Sequence, residues 1–119
     1  MKPLDLLTEN EWAEGFSYPR QFRRVIEHGL TELEPWYFLE GRPLRDTMHG
    51  LAERYSGRKL IPFARRQDND DVACWQVGAG ESVFIIHDFA SPGWEQRGHF
   101  ASFYDWLRSA VEDFVGFDS

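Results

Sequence analysis

"LIPFARRQDNDDVACWQVGAGESVFIIHDF", residues 60–89, holds three apolar runs separated by two polar turns. Residues 60–65, 72–77 and 82–89 read as strands. In the third, Val83, Ile85 and Phe89 share one face, and Phe84 and Ile86 share the other. Apolar side chains on both faces mark central strands that are covered on both sides. The links are short, so the runs should pair as antiparallel hairpins. The glycines of "VGAGES" allow the positive φ that a tight turn requires.

Working outward, helices flank this unit. "TENEW" reads as a capping box, with Thr8 as N-cap and Glu11 three residues on, opening a short helix that Gly15 ends. A second helix begins at Pro19, carries Phe22, Val25 and Ile26 at helical spacing, and stops at Gly29. "PWYFLEG" is apolar and bounded by Pro35 and Gly41, and reads as a short strand. Leu44, Met48, Leu51, Ala52 and Tyr55 make the next helix amphipathic, and Gly57 stops it. In the last segment Ser102 caps, with Asp105 at the third position. Phe103, Trp106, Leu107, Ala110, Val111 and Phe114 form one stripe, expected to lie on the sheet. Glu112 and Asp113 near its C-terminal end oppose the helix dipole, and the sequence offers no reason for that. The fold class is α+β: one domain over residues 1–119, with an antiparallel sheet of about four strands, N-terminal helices and a C-terminal helix packed on it.

The chain has 119 residues, 42% of them hydrophobic, enough for a single core without disulfides. No apolar run approaches the roughly 20 residues of a membrane helix. The first ten residues carry an acid at Asp5 and no long apolar stretch, so a signal peptide is not expected. A single cysteine suits a reducing, cytoplasmic setting. The formal net charge of -7 argues against nucleic acid or anionic lipid as the main partner. It suits a basic protein partner, because opposite charge speeds encounter. Nothing in the sequence sets the oligomeric state.

Most chemical motifs fail on inspection. A calcium loop starting at Asp68 needs Gly at its sixth position and Glu at its twelfth, where Ala73 and Ala79 stand. "GAGES" lacks the third glycine of a dinucleotide loop and precedes a strand. There is no phosphate-loop sequence and no nucleophile elbow. His28, His49, His87 and His99 show no metal spacing, so no metal or cofactor is expected. Cys74 and His87, with Asp88 behind, make a conceivable nucleophile pair, but a cysteine within an apolar strand is usually inert core.

Two stretches remain. In the turn "RRQDNDD", Asp68, Asp70 and Asp71 form either a docking surface or a solvated turn in which Arg65 or Arg66 faces Asp71. "FASPGWEQRGH", residues 89–99, reads as an eleven-residue loop with a type II turn at Ser91-Pro92-Gly93. There Trp94, beside Glu95 and Arg97, is either a binding anchor or a lid over the sheet edge. Trp36 is a weaker contact candidate.

Taken in order, "YPRQFRRVIEHG", "LIPFARRQDNDDVACWQV" and "VFIIHDFASPGWEQRGHFASFYDWLRSAVEDF" resemble the SUKH superfamily, the cell-wall-assembly-regulator and Knr-type domains, over about residues 16–115. The acidic turn stands where commoner members are glycine-rich. The resemblance implies a non-enzymatic protein-binding module. Many bacterial members look like immunity proteins that neutralise a toxin domain, and others are regulatory scaffolds. The expectation is an immunity-type inhibitor contacting a basic toxin through Asp68, Asp70, Asp71, Trp94, Glu95, Arg97 and Trp36. The alternatives are a scaffold without a toxin partner and a small enzyme using Cys74 and His87.

Overall fold

A computed structural model describes residues 3–118. Six strands follow one another in chain order across a single antiparallel sheet: β1 (Glu32–Leu33), β2 (Trp36–Phe38), β3 (Leu60–Arg66), β4 (Asp71–Gln76), β5 (Val83–His87) and β6 (Gln96–Phe100). Three α-helices accompany them: α1 (Arg20–Glu27), α2 (Gly41–Arg54) between β2 and β3, and α3 (Phe103–Phe117).

The apolar pattern of β3 to β5 explains the layering. Trp75 faces Ile61 across β4 and β3, and its ring lies 4.9 Å from Phe22 of α1 and 4.4 Å from Phe63. Phe63 in turn sits 4.8 Å from Trp106 of α3. So α1 and α3 cover one face. The next residue, Gln76, points to the other face by strand alternation. There it accepts a hydrogen bond from Arg58, just beyond α2, at 2.8 Å. So the α2 end of the chain covers the second face, with Leu44, Leu51 and Tyr55 buried. Phe22, Phe38, Phe63, Trp75, Phe103 and Trp106 form a continuous aromatic centre. Rings of this kind add about 0.5–1.5 kcal/mol per edge-to-face pair beyond their buried area.

The expected α+β architecture of an antiparallel sheet with packed helices is present, the sheet having six strands where about four are expected, and two finer expectations are corrected. β1 has only two residues, too few to show alternation. β6 is polar, because an edge strand keeps water on its outer side. Residues 89–99 are therefore not one loop. The chain re-enters the sheet at Gln96, and Gly98 lies so close to Ile85 that an added Cβ would stand 3.3 Å from its Cγ1. The helix expected after Thr8 is only a 3-10 turn, Glu9–Glu11. The Thr8 N–H does donate to Glu11 Oε1 at 3.0 Å. But both Glu11 oxygens are also drawn to Arg45 of α2, at 2.8 and 2.9 Å, and the segment is tied there instead of winding on.

In α3, Ser102 Oγ accepts the Asp105 N–H at 3.2 Å, the expected cap. Phe103, Trp106 and Ala110 are buried on the sheet, whereas Val111 and Phe114 are exposed. The helix outruns the surface it packs on.

Candidate functional site

At one end of the sheet, where β3 and β5 stop and β4 and β6 begin, the β3–β4 turn meets the β5–β6 loop. The backbone N–H of Asp88 donates to the carbonyl of Asp70 at 2.9 Å. Arg65 bridges the two segments, 3.7 Å from Asp70 Oδ1 and 3.4 Å from Asp88 Oδ2. The fold thus brings together two stretches that the sequence keeps about 20 residues apart.

The β5–β6 loop, residues 88–95, is clamped at every turn. Asp88 is 1% exposed. Its Oδ1 accepts from Arg54 Nε at 2.7 Å and from the Phe89 N–H at 2.9 Å, and its Oδ2 accepts from Arg54 Nη2 at 2.9 Å. Such a bidentate pair fixes orientation as well as charge. The Tyr55 hydroxyl donates to the Ala90 carbonyl at 2.7 Å. Burial, then the charges of Asp88 and Glu95, push that hydroxyl's pKa up, so it stays a donor. The Trp94 N–H donates to the Ser91 carbonyl at 2.9 Å across Pro92 and Gly93, whose φ is +97°, as a type II turn requires. Glu95 closes the loop. Its Oε1 accepts the Gly93 N–H, at 2.6 Å, its Oε2 accepts from Arg58 at 3.0 Å, and its carbonyl accepts the His87 N–H at 2.7 Å. Burial raises the Glu95 carboxyl, but its own and the Gly93 N–H together with Arg58 bring it below the usual carboxylate value.

This scaffold presents two aromatic side chains to solvent. Trp94 is 82% exposed and Phe89 63% exposed. Phe89 is also the only non-glycine residue with positive φ among those described, at +69°. A bulky residue there costs on the order of 1–2 kcal/mol, and such strain tends to persist where function uses it. The Arg54 guanidinium lies 4.3 Å from the Phe89 ring centroid and offsets part of that cost.

The β3–β4 turn is held locally. Asn69 Oδ1 accepts the Asp71 N–H at 2.8 Å. Arg66 pairs with both oxygens of Asp68, at 2.8 and 2.9 Å, and that hydrogen bonding holds the Asp68 carboxyl below its usual value. Asp71 meets His87 Nδ1 at 3.0 Å, and its charge also acts on Arg66, which lies opposite it in the hairpin.

The residues singled out from sequence therefore separate. Asp68, Asp70 and Trp94 stand on the surface at one end of the sheet. Asp71 and Glu95 turn inward as supports. Trp36 is 4% exposed beneath α3, where its indole N–H donates to Asp113 Oδ2 at 2.9 Å and its ring lines a surface cavity beside Tyr37 and Phe114, away from Trp94. Arg97 is exposed on β6 instead of a loop, beside a cavity of about 250 Å³ that Asp71, Trp106 and Asp113 also line. Phe89, Arg54 and Arg58 were not found from sequence. A left-handed phenylalanine leaves no local trace, and both arginines act across the fold.

Cys74 is fully buried, and burial pushes its thiol pKa up. It pairs with Phe84 and shares that residue's face, whereas His87 pairs with Asp71 on the opposite face. The Cys74–His87 pair is not assembled. Among the described residues, no group of three His, Cys, Asp or Glu side chains is placed to hold a metal ion. No helix among them is long and apolar enough to cross a membrane. Comparison with protein-family models, with curated proteins and with solved structures gives no match for this chain.

Proposed function

We propose that this chain is a protein-binding module that docks through the end of the sheet carrying Trp94, Phe89, Asp68 and Asp70. The observation that carries the reading is Trp94, held out in solvent by a loop whose buried charges are all spent on keeping its shape. An exposed aromatic carried on a well-tied loop, at the end of the sheet that also bears carboxylates, matches the anatomy of a binding hot spot, because little loop entropy remains to be lost on association. The net charge of -7 favours a basic partner. With the SUKH-like segment order, this supports an immunity-type inhibitor that covers the basic face of a toxin domain by steric and electrostatic occlusion.

The test is capture with the tagged protein at low and high salt, beside a Trp94→Ala variant. The expected partner is basic, is released by salt, is toxic when expressed alone and is harmless when co-expressed with this chain. Trp94→Ala should weaken binding by about 2 kcal/mol or more, roughly 30-fold, without lowering the melting temperature. Equal affinity of the variant would remove the loop from the site. Absence of any partner at either salt would sink the proposal.

A further inference from the structure

A second surface lies where α3 outruns the sheet. Val111, Phe114, Val115 and Phe117 are all exposed there. The first three recur at i, i+3 and i+4, so they form a stripe along the helix. A cavity of about 400 Å³ is lined by Phe114, Val115 and Phe117 together with Glu34 and Asp118. A neighbouring cavity of about 410 Å³ is lined by Glu32, Glu34, Tyr37 and Phe114, among others. Phe114 and Glu34 line both, so the two join into one groove between α3 and the β1–β2 hairpin. Trp36 also lines the second cavity, and Asp113 holds it there, accepting its indole N–H at 2.9 Å and lying 3.3 Å from Arg66 Nη1.

Every charged residue lining those two cavities is an acid: Glu32, Glu34 and Asp118. The last turn of α3 carries no base, and Glu112 adds a further carboxylate close to the negative end of the helix dipole. That placement works against the helix by itself. Local rules broken in this way are expected where a surface is kept for a partner.

We propose that this groove takes a basic amphipathic helix of a partner protein, its apolar stripe laid along Val111, Phe114 and Val115 and its Lys or Arg residues meeting the acidic rim. A helix fits because helical stripes interlock ridge into groove, and an i, i+3, i+4 surface is read by another of the same spacing. Strand addition is disfavoured, since the neighbouring edge strand β1 has only two residues. A second copy of this chain would bring the same carboxylates face to face across a two-fold interface. Anionic lipid would meet the same repulsion. The surface does not use Trp94 or Phe89, and the proposal stands apart from the reading of that end of the sheet.

The probe is a fluorescently labelled, roughly 18-residue helical peptide of leucine and lysine with leucines at i, i+3, i+4 and i+7, long enough to hold a helix. A matched peptide carries glutamate for lysine. Anisotropy titration of the intact chain should show saturable binding of the lysine peptide and at least about tenfold weaker binding of the glutamate peptide. Phe114→Ser should weaken lysine-peptide binding by about tenfold or more, and the double variant Glu34→Lys, Glu112→Lys should do the same, while Trp94→Ala leaves it unchanged. Circular dichroism checks that Phe114→Ser is folded, and Val111→Asn replaces it if it is not. Equal binding of the two peptides, no saturable binding, or binding indifferent to Phe114→Ser would overturn the proposal. A concentration-dependent dimer in sedimentation that Phe114→Ser abolishes would also overturn it, and would assign the groove to a second copy.

Discussion

Gly50 shows how a single position is governed by a side chain far from it in function. It lies inside α2, where alanine would ordinarily gain about 1 kcal/mol. An added Cβ would stand 2.6 Å from Arg54 Nη2, the nitrogen that holds Asp88. Gly50→Ala is therefore expected to destabilise by about 1 kcal/mol or more, because moving the guanidinium leaves a buried carboxylate short of a partner. In an Arg54→Ala background the same substitution should stabilise, and paired chemical-denaturation curves would show the change of sign. Removal of the carboxylate itself is the harsher test of the clamp. Asp88→Ala should cost about 2–4 kcal/mol, less than a fully buried pair because Arg54 keeps some water. Hydrogen exchange at residues 89–94 should then accelerate. Unchanged exchange would mean that the loop is held by the Ser91–Trp94 turn and Glu95 alone.

Among the elements, α3 has a well-made start and an unfavourable finish. Ser102 caps it, so Ser102→Ala should lower stability by about 1 kcal/mol, read as a shift in the denaturation midpoint with an unchanged slope. Its first two turns bury Phe103, Trp106 and Ala110, and its last turns expose apolar side chains among acids. Stability and recognition are thus divided along one helix. α2 is divided differently. Its N-terminal half holds the leading segment through Arg45, whose guanidinium donates to the carbonyls of Asp5, Leu6 and Gly41 and to Glu11. Its C-terminal end holds the Trp94 loop through Arg54 and Tyr55.

For the molecule as a whole, these arginine clamps set the response to acid. Hydrogen bonding to Arg45, then to the Thr8 backbone, lowers the Glu11 carboxyl from 4.5 to about 2. Asp68 and Glu95 are lowered as well. A carboxyl depressed in the folded state binds its proton more weakly there than in the unfolded chain. Its contribution is complete above the unfolded value, near 4.5, and disappears as pH falls through the folded one. The melting temperature should therefore drop progressively below about pH 4.5. Arg45→Ala should flatten part of that fall, since it removes the largest cause of the Glu11 depression and leaves only the hydrogen bonds from Thr8. A slope unaffected by Arg45→Ala would place the acid sensitivity elsewhere.

Local spacing was enough for much of the architecture. The both-sided apolar runs of β3 to β5 demanded covered central strands, and the periodicity of α2 and α3 marked helices of nearly their observed length. The proline and glycine of residues 91–94 set their own turn, because their backbone preferences act within a few residues. What tertiary structure alone decided was which polar groups face inward. Asp70 and Asp71 are neighbours of one type, yet Asp71 opens β4 and meets His87, whereas Asp70 stays in the turn and exposed. Trp36 and Trp94 are both aromatic candidates in sequence, and only the position of α3 covers the first. Arg54, Arg58 and Tyr55 support a loop more than 30 residues away in sequence. Such contacts follow from how helices dock on a sheet, and no short-range pattern encodes them.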